Sequence, residues 1–332
     1  MFLTTTVGSL PKPDWLAEPE KLWAAWRLDA AQLQDGKQRA ALEWLREQER
    51  AGIDIVGDGE QFRIHFVHGF LESLEGIDWN LKTPMGIRNN RYIAEVPTVT
   101  APLKRRAAVH VADAAFMRTQ TTRALKVTLP GPMTICDTLA DAHYGRRADM
   151  ALRFAEMLNE EALELEAAGA DVIQFDEPAF NVFLDEVGEW GIAALERAMQ
   201  GLKATTIVHI CYGYGIEANI KWKNTLGDEW RQYEKVFPAL AKSSIKQVSL
   251  ECYHSHVPPE MMALLKDKDV MVGVIDVASE EIETPEQIAD TIGKALQFVP
   301  KHRLIACTNC GLAPMSRDVA MKKLQALADG AA

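Results

Sequence analysis

The run Thr206-Ile207-Val208-His209-Ile210-Cys211-Tyr212-Gly213 delivers an imidazole and a thiol two residues apart, just before an aromatic-glycine break. Along a strand, residues i and i+2 share a face, so His209 and Cys211 point the same way near the strand's C-terminal end. Imidazole nitrogen and thiolate sulfur are the ligands that borderline-soft zinc prefers. Two ligands do not make a site, and two later strands offer others. The run 245–250 is largely apolar on one face until it presents Glu251 and Cys252, and the run 303–306 leads into Cys307-Thr308-Asn309-Cys310. Strand neighbours face opposite sides, so Glu251 and Cys252 cannot both serve one site. Cys307-x-x-Cys310 has zinc or redox spacing in its own right. Cys307 is expected to pack as a small apolar residue. His254 and His256, in the loop beyond Glu251, are expected at the surface or at a pocket mouth.

Positioning such groups together requires a repeated scaffold. Eight strand-like runs can be read, at about residues 4–11, 52–60, 124–129, 169–176, 206–211, 245–252, 270–276 and 303–310. Helical patterns fall near 32–51, 148–168, 189–201, 217–241, 259–265, 285–298 and 315–328. The least regular stretch, about 62–122, holds aromatic residues, prolines and an alternating segment from Arg91 to Val99. It reads as an insertion with helical and hairpin pieces, closed by a helix near 110–121. Repeated βα units imply parallel strands buried on both faces. Eight of them predict an α/β protein, a single (β/α)8 barrel spanning residues 1–332 with an insertion after the second strand. The runner-up is an open doubly wound sheet binding a dinucleotide. Its one support is Gly213-Tyr214-Gly215-Ile216-Glu217-Ala218, a G-x-G-x-x-A match after a strand.

Composition narrows the function classes. A hydrophobic fraction of 48% and a charged fraction of 25% are those of an ordinary globular protein. A formal charge of -11 argues against a nucleic-acid partner, since phosphate contacts need clustered Lys and Arg. No apolar run approaches the ~20 residues that span a membrane, and the N-terminus has no signal-peptide pattern, so a cytoplasmic location is expected. Five cysteines in 332 residues suit reduced thiols better than a disulfide framework.

In barrels of this kind functional groups gather at the C-terminal strand ends. Here those ends carry Ser9, Glu60, Pro130-Gly131-Pro132, Asp176-Glu177-Pro178, His209 with Cys211, Glu251, Asp276 and Cys310. Taken in order, Thr6-Val7-Gly8-Ser9-Leu10-Pro11, Gly57-Asp58-Gly59-Glu60, Gly131-Pro132-Met133-Thr134, Gln174-Phe175-Asp176-Glu177-Pro178, His209-Ile210-Cys211, Glu251 and Asn309-Cys310-Gly311-Leu312 resemble the catalytic barrel of cobalamin-independent methionine synthase. The resemblance extends from near residue 4 to near residue 317, in a single-barrel version without the second, N-terminal barrel of the full-length enzymes.

The resemblance implies that His209, Cys211, Glu251 and Cys310 ligate Zn2+ and activate homocysteine as its thiolate, which attacks a methyl group to give methionine. It also implies an amino-acid pocket in which Val7-Gly8-Ser9 holds the substrate carboxylate while Glu60 and Asp176 hold the ammonium. A turn or helix cap is the alternative role for Asp176-Glu177-Pro178. Two departures lie on the donor side. Ala278 stands where the family offers a histidine that protonates the leaving folate. Ile135-Cys136-Asp137-Thr138 stands where the family places a tryptophan against the pterin. Asp137, His254 and His256 are the candidate replacements. The implied donor is 5-methyltetrahydrofolate. A methylcorrinoid, carried by a helper protein, is one alternative, and a barrel with only a structural zinc is another.

Overall fold

The computed structural model describes residues 1–332. Strands β1 (Leu3–Thr4) and β2 (Ile55–Val56) flank helix α1 (Ala30–Ala51). Asp29 caps the start of α1, and Gly52 at φ 94° ends it, a left-handed turn that a side chain would strain. The insertion follows: α2 (His68–Leu71), then a hairpin of β3 (Leu74–Ile87) and β4 (Tyr92–Arg105), then α3 (Val111–Arg118). Next come β5 (Ala124–Pro130), α4 (Pro132–Cys136), β6 (Ala140–Asp141), α5 (Arg147–Ala167) and β7 (Val172–Asp176). A short helical stretch, α6 (Leu184–Glu186), one π-helical turn and α7 (Ile192–Met199) lead to β8 (Thr205–Ile210). The remainder is α8 (Glu217–Lys223), α9 (Gln232–Lys242), β9 (Gln247–Glu251), β10 (Asp269–Ile275), α10 (Pro285–Ala295), β11 (Leu304–Thr308) and α11 (Arg317–Ala331).

Eight strands form one sheet in the order β1-β11-β10-β9-β8-β7-β5-β2, and a parallel bridge from Thr5 to Ile55 joins its two edges. That closure makes the (β/α)8 barrel. It removes the open sheet with its topological switch point, and with it the dinucleotide reading of Gly213–Ala218. Ile55, Val172, Ile207, Met271, Ile305 and Cys307 pack together inside the barrel, so Cys307 is the small apolar residue its position suggests. Nearer the mouth the interior turns polar. Lys126 is buried there, its ammonium donating to the carbonyls of Thr6 and Val7 and to Gln174 Oε1.

Three elements differ from the sequence expectation. The helix expected over 217–241 is two helices, α8 and α9, parted at Gly227, whose φ of 79° is left-handed. Trp230 N donates to the carbonyl of His256 instead of continuing a helix. The runs at 4–11 and 52–60 keep only two ladder residues each. Beyond them the backbone makes loop contacts: Val7 N donates to Thr308 Oγ1, Leu10 N to Gly59 O, and Leu312 N to Ser9 O.

The insertion is a sheet of its own. β3 and β4 pair antiparallel, and β6 adds to β4 in parallel. At the hairpin tip Arg88, Asn89 and Asn90 all take positive φ, 49°, 55° and 63°. The tip lies over the C-terminal mouth of the barrel, where Arg88 and Arg91 enter the main cleft. No helix of the protein is long and apolar enough to cross a membrane.

Candidate active site

Strand alternation and register bring the metal-type groups together. His209 pairs in register with Ser249 of the neighbouring strand, and Ser249 Oγ lies 2.9 Å from His209 Nδ1. That contact occupies one ring nitrogen. The other, Nε2, is buried with no hydrogen-bond partner. Such an orphan is costly unless something else binds it. Cys211 Sγ and Cys310 Sγ are 3.3 Å apart, and the ligand atoms of His209, Cys211 and Cys310 all lie within 4.8 Å of one another. One nitrogen and two sulfurs at this spacing fit a zinc-type ion.

The charges agree with that geometry. A hydrogen bond from the Cys310 thiol, with His209 alongside, holds Cys211 well below the usual thiol range despite its burial. Cys310, donating that hydrogen bond in a buried place beside a thiolate, is pushed up. Burial opposes charge on His209, but the Cys211 thiolate outweighs it and raises the imidazole. Geometry and charge thus both favour a thiolate at Cys211 over one at Cys310.

Glu251, the expected fourth ligand, lies outside this trio. Its Oε1 accepts from Lys223 Nζ at 2.6 Å, and its Oε2 accepts from the backbone N–H of Tyr212 at 3.1 Å. Cys252, on the opposite side of the strand, points away, and burial raises its thiol.

The cleft above the trio is lined by Ser9, Glu60 and Asp176 among others. All three residues singled out for an amino-acid pocket thus share one space with His209, Cys211 and Cys310. Glu60 Oε1 accepts from Thr128 Oγ1 at 3.0 Å, and Asp176 Oδ1 accepts from Gln174 Nε2 at 2.7 Å. Burial pushes the Asp176 carboxyl up to about 7, with the nearby Glu60 adding to the effect. Glycines make this crowding possible. A Cβ on Gly8 would stand 2.8 Å from Glu60 Oε1, and one on Gly311 would stand 2.0 Å from Ser9 Oγ. Ser9 Oγ lies 3.1 Å from the hydroxyl of Tyr214.

The motif Asp176-Glu177-Pro178 divides its labour. Asp176 faces the cleft, whereas Glu177 is fully buried and accepts from the N–H groups of Met133 and Thr134 and from Thr134 Oγ1. Glu177 is a structural clamp on the Gly131–Thr134 turn. A Cβ on Gly131 would meet that carboxylate at 2.1 Å.

None of the three candidate replacements on the donor side has a free hand. Asp137 is paired with Arg88. His254 is half-exposed and bonds Asp276 at 3.0 Å, and His256 bonds the carbonyl of Asp228. Neither histidine lines the cleft. Ile135 and Cys136 are buried, so α4 presents no flat surface to a donor. The rest of the cleft wall comes from His65, Phe66, Arg88, Arg91, Tyr92 and Tyr214, which sequence reasoning missed. His65 accepts backbone N–H bonds at Nδ1 and stacks on Trp23, and burial holds it well below the usual histidine range. Arg91 stacks over Trp222 at 3.5 Å and donates to Asn219 Oδ1 at 2.8 Å. Paired arginines beside aromatics were the signal that could have found this wall.

Fold and site define a (β/α)8-barrel enzyme with a histidine-dithiol group at the floor of its cleft. Residues 2–332 match the family described as cobalamin-independent synthase, catalytic domain. The chain is 30% identical over 328 residues to the methionine synthase of Sulfurisphaera tokodaii, covering 98% of this chain and 90% of that one. It is 29% identical over 330 residues to the methionine synthase of Saccharolobus solfataricus, covering 98% and 93%. Among solved structures, a B12-independent methionine synthase from Shewanella sp. W3-18-1 in complex with selenomethionine superposes with a TM-score of 0.97 at 58% identity, covering 100% of this chain and 97% of that one. The chain belongs to the cobalamin-independent methionine synthase family and is a methyltransferase of that family, whose reaction methylates homocysteine.

Proposed function

We propose that residues 1–332 form one catalytic domain, a zinc-dependent homocysteine S-methyltransferase that makes methionine with 5-methyltetrahydrofolate as donor. The observation that carries this reading is the shared cleft: three metal-type atoms within 4.8 Å of one another, and Ser9, Glu60 and Asp176 around the same space. A zwitterionic amino acid needs donors at one end and carboxylates at the other, and a Shewanella relative was solved with selenomethionine bound.

In this reading His209, Cys211 and Cys310 hold the zinc, and Glu251 is the carboxylate able to join them. Bound zinc would lower the pKa of the substrate thiol, so that homocysteine enters as the nucleophilic thiolate. Ser249 fixes the His209 ring with Nε2 toward the ion. Val7-Gly8-Ser9 takes the substrate carboxylate, and Glu60 and Asp176 take the ammonium. His65, Phe66, Arg88, Arg91 and Tyr92 face the donor. Family membership independent of cobalamin favours methylfolate over a corrinoid. A purely structural zinc suits a closed set of four protein ligands, whereas here the fourth candidate, Glu251, is drawn to Lys223.

The test is zinc-edge X-ray absorption on the purified protein with and without homocysteine, followed by methionine formation from methyltetrahydrofolate. The expected result is two sulfur ligands rising to three. An unchanged sulfur count at saturating homocysteine would overturn the proposal.

A further inference from the structure

Lys223 is the most unusual charge near the trio. It is the last residue of α8, its side chain is 11% exposed, and it meets a carboxylate that is 4% exposed. A buried ammonium is retained only where a partner offsets the cost of taking it from water, and the bonded partner of Lys223 is Glu251. Glu251 is in turn tied to the Tyr212 N–H, one peptide unit from Cys211. α8 is anchored above this point: Asn219 donates to the carbonyl of Tyr214, and Trp222 stacks on Tyr212. Lys223 therefore sits in a fixed place, with Glu251 between it and the trio's strand end.

We propose that Lys223 is the alternate partner of Glu251, a positioning residue that receives the carboxylate when a substrate thiolate arrives. The inference rests on the zinc-homocysteine reading above. Its logic is charge conservation in a dry site. A divalent ion with neutral His209 and two thiolates is neutral, and the Glu251 carboxylate makes the group singly negative. A homocysteine thiolate added to that set would raise the charge to two negative. If Glu251 moves onto Lys223 instead, the ion keeps the same net charge, and the departing carboxylate lands on an ammonium already in place. The carboxylate shift itself transfers no proton and breaks no carbon bond; the one proton released is that of the homocysteine thiol, lost to solvent as the thiolate binds.

The role predicts opposite effects on two affinities, which a strut would not produce. In Lys223→Met, Glu251 loses its competing partner. Zinc should then be held as tightly as in the parent protein or more tightly in chelator competition, while homocysteine binding weakens about 10- to 100-fold. Lys223→Arg should recover most of that loss. In a Glu251→Gln background, Lys223→Met should have no further effect on homocysteine affinity. The proposal is overturned if Lys223→Met loses zinc and homocysteine together, if it binds homocysteine like the parent, or if its effect persists without the Glu251 carboxylate. X-ray absorption on the unsubstituted protein separates the two levels. No third sulfur there sinks the function and this role together. A third sulfur that also forms at the parent homocysteine affinity in Lys223→Met sinks only the role of Lys223.

Discussion

The two walls of the cleft differ in what carries them. On the wall proposed to hold the acceptor, Asp176, His209, Cys211 and Cys310 stand near, at or just past the ends of ladder strands, where paired backbones fix their positions. On the wall proposed to face the donor, His65 and Phe66 lie in the loop before α2, and Arg88, Arg91 and Tyr92 on a hairpin that pairs only with itself and β6. Groups on a closed barrel are held to a narrow geometry, and groups on loops can change without disturbing it.

The sharpest test of the acceptor wall is Cys310→Ser. It should remove most zinc and all activity, measured by metal analysis and methionine formation. A protein retaining full zinc would shift the assignment to Cys307, which the structure places in the apolar interior. Next, Asp176→Asn should leave zinc content unchanged and weaken homocysteine about 100-fold, the loss of roughly one charge-assisted hydrogen bond. Calorimetric titration would read it, and an unaltered affinity would dissolve the proposed ammonium site.

A pH series probes the same residue more gently. The Asp176 carboxyl is raised to about 7 by burial, so the free protein keeps it protonated below that pH, and pairing with an ammonium requires its ionisation. Methionine affinity should fall as pH drops below about 7, by about tenfold per unit, with a proton released on binding. The sign for stability is opposite. A raised acid favours the folded state most below its unfolded value, and that contribution fades as pH rises through about 7. Asp176→Asn should flatten both trends. On the donor wall, Arg91→Ala should raise the KM for the methyl donor about tenfold, since a stacked, hydrogen-bonded guanidinium is worth on the order of 1–2 kcal/mol. Homocysteine binding and zinc content should stay put. If homocysteine binding falls equally, the two walls are not separable.

Much of the acceptor wall could be read from the sequence because the rule behind it is local. A β-branched run that ends in His209-x-Cys211 declares its face by alternation alone, whereas the choice of Glu251 over Cys252 and of Cys310 over Cys307 came from the family resemblance. Lys223 could not be found this way. Its contact with Glu251 spans 28 positions and depends on where α8 docks, and the 217–241 pattern read as one helix concealed the break at Gly227. The mouth-facing arginines escaped for a related reason. A tip built from Arg88, Asn89 and Asn90 in left-handed conformations follows no periodicity, so the direction of Arg91 emerges only from the folded hairpin.

The seam of the ring carries one more consequence. β1 and β2 contribute two residues each, and a single bridge joins them, whereas β7 and β8 share five register pairs. Ser9 follows one side of that joint and Glu60 the other. An amino acid held by its carboxylate at Ser9 and its ammonium at Glu60 would lie across the seam as a clasp, fastening the loosest stave of the barrel. Occupancy would then be felt as slowed amide exchange in β1 and β2, so that the ligand completes the architecture that receives it.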